Sequence, residues 1–146
     1  MALESSLWKR VKGAASWLKL SGVPVHFGRI ENGVGVGNPD VDGCIDSVQV
    51  WLELKSEERP KRSSTPIRCK VRPAQAVWMH ERVGAGCKTA FVLIQVGSGS
   101  GALLYLIPGD RYEDIVAPEA TLERLSVLQS PRMPMPEVLL RAKDGF

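Results

Sequence analysis

Residues 38–55 read NPDVDGCIDSVQVWLELK, and the alternation within this stretch decides the fold. From residue 47 to residue 55, aliphatic side chains alternate with polar or aromatic ones, which is typical of a β-strand with two different faces. Side chains two residues apart on a strand point the same way. We therefore predict that Glu53 and Lys55 project from one face of a sheet.

A tight turn is predicted to precede this strand. Asp42 and Gly43 are favoured turn residues, so a short strand over residues 40–44 is expected to pair with the strand that follows. Pairing across this hairpin would bring Asp40 beside Glu53. Two carboxylates and one ammonium group would then share one side of the sheet.

Such a group of charges suits the hydrolysis of phosphodiester bonds. Mg²⁺ prefers carboxylate and carbonyl oxygens, so Asp40, Glu53 and the backbone carbonyl of Leu54 are predicted ligands, and we expect Mn²⁺ to substitute. A bound ion lowers the pKa of water and neutralises phosphate charge. Lys55 would orient or deprotonate that water, or stabilise the transition state. The alternative is that Glu53 and Lys55 form an exposed pair and that Asp40 is a turn residue.

The rest of the chain predicts a single α/β domain over residues 1–146 with a mixed sheet flanked by helices. Helices are predicted at residues 3–20 and 72–83, and the second carries Gln75. The other predicted elements are strands at residues 25–31, 89–96 and 102–107 and short helices at 110–116 and 119–128, with 130–136 extended and the last ten residues loose. The core would span about residues 3–107, and residues 108–146 would form a helical, proline-containing extension.

One acidic residue lies on the apolar stripe of the first predicted helix. Glu4 precedes Leu7 by three residues and Val11 by seven, so it points in the same direction as both. It lies either in a solvated first turn, where the helix macrodipole favours a negative charge, or in a functional pocket.

A basic segment follows the strand that carries Glu53. Residues 56–70 are predicted to form a loop, because they contain few apolar residues and two prolines. Such a run is either a solvated loop or a surface that contacts phosphates, and its position beside the candidate site favours the second interpretation. The candidates for DNA contact are Arg59, Lys61, Arg62, Arg68, Lys70 and Arg72.

Two further features near the candidate site have alternative interpretations. Trp51 shares a strand face with Glu53 and would either stack on DNA or pack in the core. The glycine-rich residues 32–37 resemble a phosphate-binding loop, but Pro39 and a strand follow them where such a loop requires a helix. We interpret them as a flexible turn that lets DNA approach.

Bulk properties permit a DNA-binding protein and favour a cytoplasmic one. The formal net charge is +3 at pH 7, which allows a nucleic-acid partner without requiring it. The three isolated cysteines are neither a disulfide framework nor a zinc motif. No apolar run approaches the roughly 20 residues that cross a membrane, and no secretion signal is recognisable.

The stretch Asn38-Pro39-Asp40, followed by Glu53-Leu54-Lys55, resembles the Pro-Asp…Asp/Glu-X-Lys signature of the restriction-endonuclease-like nucleases. Gln75 stands where this superfamily often has an active-site glutamine. The combination is similar to the VRR-NUC and archaeal-type Holliday junction resolvase branch, especially its small phage-encoded members. In those proteins a glutamate on the first helix joins the metal site, and Glu4 matches it by position.

The resemblance implies an αβββαβ core and a magnesium-dependent endonuclease, most concretely a Holliday junction resolvase acting on four-way junctions. Paired cuts in a two-fold symmetric junction imply a homodimer. The implied catalytic residues are Glu4, Asp40, Glu53, Lys55 and Gln75, with Glu4 also a metal ligand. Glu31 and Asp42 are further acidic candidates. Two other functions stay open: a flap or nicking nuclease of the VRR-NUC type, and a catalytically silent DNA-binding module.

Overall fold

The structure is a computed structural model that describes residues 2–30 and 37–146, with side chains from residue 6 onward. Its helices and strands are α1 (Ala2–Leu20), β1 (Val25–Arg29), β2 (Val41–Ile45), β3 (Val48–Glu57), α2 (Pro73–Gly84), β4 (Ala90–Val96), β5 (Leu103–Pro108), α3 (Glu119–Leu125) and α4 (Met135–Asp144). Short 3₁₀ segments cover Gly99–Gly101 and Gly109–Asp114. The predicted order αβββαβ is confirmed.

The strands form one mixed sheet in the order β1-β2-β3-β4-β5. The first three strands make an antiparallel meander, β3 and β4 are parallel, and β4 and β5 are antiparallel. Helices α1 and α4 cover one face, while α2, α3 and the 3₁₀ segment Gly109–Asp114 cover the other. The predicted α/β class with a mixed sheet between helices is thereby confirmed.

The turn between β2 and β3 lies at Asp46 and Ser47, so the prediction of a turn at Asp42 and Gly43 is wrong. Asp46 and Ser47 both have positive φ, at 48° and 73°, which suits a tight antiparallel hairpin. Gly43 lies inside β2 for a packing reason. A Cβ atom at that position would lie 2.4 Å from the ring of Phe27 on β1.

The last residues of the chain are helical, so the prediction that they are loose is wrong. Helix α4 buries Val138, Leu139 and Ala142 in the core beneath α1. Pro136 falls in its first turn, where a missing backbone N–H leaves no hydrogen bond unmade. The ring of Phe146 packs edge-on against Phe91, with centroids 5.3 Å apart.

Residues 58–72, between β3 and α2, contain neither helix nor strand; we call them the basic loop. The loop was predicted over residues 56–70, but Ser56 and Glu57 belong to β3. The loop is fastened to the segment after β5, because the backbone N–H of Ile67 donates to the carbonyl of Ala117 at 2.8 Å. Two residues of the loop itself, Ile67 and Cys69, are buried. Of the helices in the described ranges, none has the length and apolar character to cross a bilayer.

Candidate active site

The β2–β3 hairpin brings Asp40 and Glu53 together. The register that pairs Val41 with Leu52 places these two residues beside each other at the end of β2. The backbone N–H of Asp40 donates to Oε1 of Glu53 at 3.2 Å. Oδ2 of Asp40 accepts a hydrogen bond from the backbone N–H of Leu54 at 3.0 Å. The Asp40 side chain is thus anchored to the strand that carries Glu53.

Lys55 completes a buried group of charges. Its Nζ lies 3.3 Å from Oε2 of Glu53, and the two residues are only 4% and 2% exposed. The alternative of an exposed pair on a solvated strand is therefore wrong. Both side chains lie on the face covered by α2, because residues 53 and 55 alternate with Leu52 and Leu54 on the opposite face.

Burial sets the protonation behaviour of this pair. Burial, together with the negative charge of Asp40, raises the pKa of Glu53 to about 7, against the opposing effect of Lys55. Burial disfavours the charged form of Lys55 most strongly, but Glu53 and the phenol of Tyr112 stabilise the ammonium group, and the pKa of Lys55 is raised. Near neutral pH the Glu53 carboxyl group can therefore release its proton when a cation competes for the carboxylate.

Gln75 joins this group from α2, and Tyr112 joins it from the segment after β5. Gln75 is buried in the first turn of α2, which Pro73 begins. Its Oε1 accepts a hydrogen bond from the hydroxyl of Tyr112 at 2.7 Å, and the Tyr112 ring centroid lies 5.6 Å from Nζ of Lys55. Tyr112 was not predicted as a site residue, since an isolated tyrosine in a short polar helix carries no motif.

Gly37 lets the segment that leads through Asp40 into β2 lie against the start of α2. Its φ is +89°, and a Cβ atom there would lie 2.3 Å from the carbonyl oxygen of Ala74, so only glycine allows this approach. Residues 31–36, which include Glu31 and most of the predicted glycine-rich turn, lie outside the described residues. In the described part of the turn, the role of Gly37 is therefore to allow close contact with α2.

The structure describes the side chains of some predicted metal ligands but not of all. Asp40 and Glu53 face each other, and two carboxylates suit a hard divalent cation. Glu4 lies on α1, but its side chain is outside the described residues. Among residues with described side chains, no cluster of three or more His, Cys, Asp or Glu residues could hold a metal ion. Asp42 instead accepts a hydrogen bond from Gln49 at 2.9 Å.

Arg59 differs from the other basic residues predicted to contact DNA. Its Nε and one terminal nitrogen donate to the two carboxylate oxygens of Glu119 at 2.9 and 3.2 Å. Its other terminal nitrogen donates to the carbonyl of Gly101 at 3.1 Å. Because its guanidinium group is engaged within the protein, we assign Arg59 to anchoring the basic loop. Contact of Arg59 with phosphates stays a prediction, because its side chain is also 38% exposed.

The other five predicted DNA-contact residues are also exposed on the basic loop: Lys61, Arg62, Arg68, Lys70 and Arg72. A groove of about 570 Å³ runs beside the loop, and Lys61 and Arg68 are among its lining residues. Trp51, by contrast, packs within the protein. Its ring lies 5.4 Å from that of Trp78, with the guanidinium of Arg82 over both rings.

Comparison with known proteins finds similarity among solved structures. No protein-family model matches the chain, and no curated protein matches it. A solved structure of Hjc, a Holliday junction resolvase from the archaeal hyperthermophile Archaeoglobus fulgidus, is similar over 69% of this chain and 75% of that chain, at 16% identity and a TM-score of 0.43. A likeness of this degree decides neither family nor function, which depend on the residues of the site.

Proposed function

We propose that this chain is a divalent-metal-dependent endonuclease that hydrolyses phosphodiester bonds in DNA. One observation carries the proposal: Glu53 and Lys55 are buried beside Asp40. Burying an ion pair costs several kcal/mol of desolvation for each ion, roughly, and often adds nothing to stability compared with apolar residues. Titratable groups gathered under such conditions are typical of active sites.

Asp40 and Glu53 would hold the cation, with the carbonyl of Leu54 and the side chain of Glu4 as further proposed ligands. Mg²⁺ is the proposed ion, and Mn²⁺ the proposed substitute, since both favour oxygen ligands. When bound, the ion supplies positive charge to the phosphate and acidifies water. The protein contributes two preformed carboxylates, one of which exchanges its proton near neutral pH.

Lys55 and Gln75 would act on the water and the phosphate. Lys55 carries a proton on Nζ beside Glu53, so it can donate a hydrogen bond to the attacking water or to the charge that develops on the phosphate. Gln75 has its Oε1 occupied by Tyr112. Its amide nitrogen is therefore the end available to orient either group.

The exposed side chains of the basic loop would bind the DNA backbone. The five residues Lys61, Arg62, Arg68, Lys70 and Arg72 follow directly on the strand that carries Glu53 and Lys55. Contacts with phosphates give affinity that is independent of sequence and falls steeply with salt. The motif resemblance supports a more specific proposal: a homodimeric resolvase that cuts four-way junctions.

The first experiment is cleavage of a labelled immobile four-way junction beside flap, nicked and linear duplexes, with and without Mg²⁺. We expect metal-dependent cleavage, with symmetric paired nicks in the junction. If only flaps or linear DNA are cut, the proposed nuclease function is supported and the resolvase proposal is rejected. If neither Mg²⁺ nor Mn²⁺ supports any cutting, the silent DNA-binding module becomes the leading alternative.

The matched pair Asp40→Asn and Asp42→Asn tests the assignment of the site. We expect Asp40→Asn to lower kcat by about a thousandfold, since several kcal/mol of charge stabilisation is lost. Its Kd for DNA should not change. Asp42→Asn makes the same chemical change two residues along the chain, at a side chain paired with Gln49, and should cut normally. Equal activity of the two variants would reject Asp40 as a site residue.

A further inference from the structure

We propose that Tyr112 is a positioning residue of this site, whose hydroxyl group holds Gln75 and whose phenol holds Lys55 in one orientation. The segment after β5 would then be part of the active centre. The catalytic consequence of this inference rests on the proposed nuclease function, whereas the positioning of Lys55 can be measured without any DNA substrate.

The hydroxyl group of Tyr112 joins two parts of the chain that border the site. It donates to Oε1 of Gln75 at 2.7 Å. The same oxygen lies 3.4 Å from the backbone N–H of Arg72 and 3.4 Å from the carbonyl of Lys70. One phenol oxygen therefore connects the end of the basic loop with the first turn of α2.

Lys55 lies between two stabilising partners. Glu53 is 3.3 Å from its Nζ, and the ring centroid of Tyr112 is 5.6 Å from the same atom, within the range of a cation–π contact. A lysine side chain is flexible, so a single contact leaves it several conformations. A cation bound by Glu53 would weaken the Glu53–Lys55 pair by competing for its charge. The hydroxyl group of Tyr112, which also stabilises the Lys55 ammonium group, would remain to hold Lys55, and it is this contact that Tyr112→Phe removes.

Packing alone does not account for a tyrosine at this position. The side chain is fully buried among the apolar residues beneath α2, where phenylalanine would bury nearly the same apolar surface. A buried hydroxyl group is unfavourable unless it forms hydrogen bonds. The hydroxyl group of Tyr112 meets this condition through groups at the edge of the site, which is the arrangement expected of a positioning residue.

The chain supplies a matched control in Tyr105. This residue is also buried, at 2% exposure, and its hydroxyl group donates to Oε2 of Glu119 at 2.5 Å. Tyr105→Phe and Tyr112→Phe thus remove the same atom and one short hydrogen bond from the same side of the sheet. A purely structural role predicts similar consequences for both variants, whereas a positioning role affects Lys55 only in Tyr112→Phe.

The experiment compares the two variants in the full chain by cleavage kinetics and by ¹⁵N NMR of the lysine ammonium groups. The Lys55 signal is identified by its loss in Lys55→Met. We expect Tyr112→Phe to broaden or shift this signal and to lower kcat about tenfold, the effect of one lost hydrogen bond to a catalytic group. The Kd for DNA, measured with Ca²⁺, should not change. Tyr105→Phe should preserve the Lys55 signal, with kcat within about twofold.

Each outcome bears on a definite claim. An unchanged Lys55 signal in Tyr112→Phe overturns the inference, and so does an equal loss of kcat in both variants. If the unsubstituted chain cuts no DNA, the proposed function fails. The NMR comparison then still decides whether Tyr112 holds Lys55, so the two failures are distinguishable.

Discussion

The two faces of β3 are both buried, but they bury different chemistry. One face presents Val50, Leu52 and Leu54 to the apolar residues of α1 and α4. The other presents Glu53 and Lys55 to α2 and the segment after β5. Apolar burial stabilises the fold at roughly 25 cal/mol per Å², whereas buried charge generally does not. The comparison indicates that one face supplies stability and the other supplies chemistry.

The largest expected effect is a difference in stability between two variants of β3: Leu52→Ala on its apolar face and Lys55→Met on its charged face. Leu52 is fully buried, so its truncation should destabilise the protein by about 2–5 kcal/mol. Lys55→Met keeps a long side chain, and Glu53 can remain protonated because its pKa is about 7. We expect little loss of stability in urea at pH 6 but loss of cleavage. If Lys55→Met were as unstable as Leu52→Ala, the charged face would also contribute to the stability of the fold.

A smaller effect is expected where the charged face contacts α2 through Gly37. Gly37→Ala would strain a positive φ and collide with the carbonyl oxygen of Ala74. We expect a loss of about 2 kcal/mol in unfolding free energy and weaker cleavage, because Asp40 would move relative to α2.

The control for this change is Gly28→Ala on β1, where an added Cβ atom meets nothing within 4 Å and φ is ordinary. Its unfolding free energy should change by less than about 1 kcal/mol. Similar stability of both variants would show that the close approach of Gly37 to α2 is not needed.

The smallest effect concerns pH, and it distinguishes the charged face from the apolar one. A proton and Mg²⁺ compete for the Glu53 carboxylate, whose pKa is about 7. Below that pH the affinity for Mg²⁺ should fall by up to about tenfold per pH unit, and above it the affinity should level off. This affinity can be measured by calorimetric titration with Mg²⁺ at pH values from about 5.5 to about 8.5, which lie on both sides of the pKa of Glu53.

The sign of the accompanying stability change follows from the same pKa. Because the folded state binds the Glu53 proton more tightly than the unfolded state, with a pKa of about 7 against 4.5, folding without metal is favoured at low pH. This contribution is fully present below the unfolded value and is lost as the pH rises through about 7. Mg²⁺ should restore stability at high pH. A melting temperature that rises with pH in the absence of metal would contradict this sign.

The sequence alone was sufficient to predict which residues of the hairpin meet. Strand alternation placed Glu53 and Lys55 on one face, and antiparallel pairing placed Asp40 beside Glu53. The turn itself was predicted wrongly, because Asp42-Gly43 has favourable turn chemistry while Gly43 is required beneath the ring of Phe27. A dipeptide preference cannot reveal a contact made by another strand.

The parts of the site that were missed depend on contacts distant in sequence. Nothing near Tyr112 indicates that it reaches Gln75, and nothing near Arg59 indicates that Glu119 binds it. Helix α4 was missed because Pro134 and Pro136 suggest an extended chain, although Pro136 fits a first turn. Alternation predicted a shared face for Glu53 and Lys55, but burial depends on which elements cover that face.

The parallel pairing of β3 with β4 also has a consequence for synthesis of the protein. The antiparallel meander that carries both carboxylates is synthesised before the residues that supply Gln75 and Tyr112. Parallel strands separated by a long connection close slowly, because distant segments must first be brought together. The proposed site would therefore be completed only after this pairing brings Gln75 and Tyr112 to the two carboxylates.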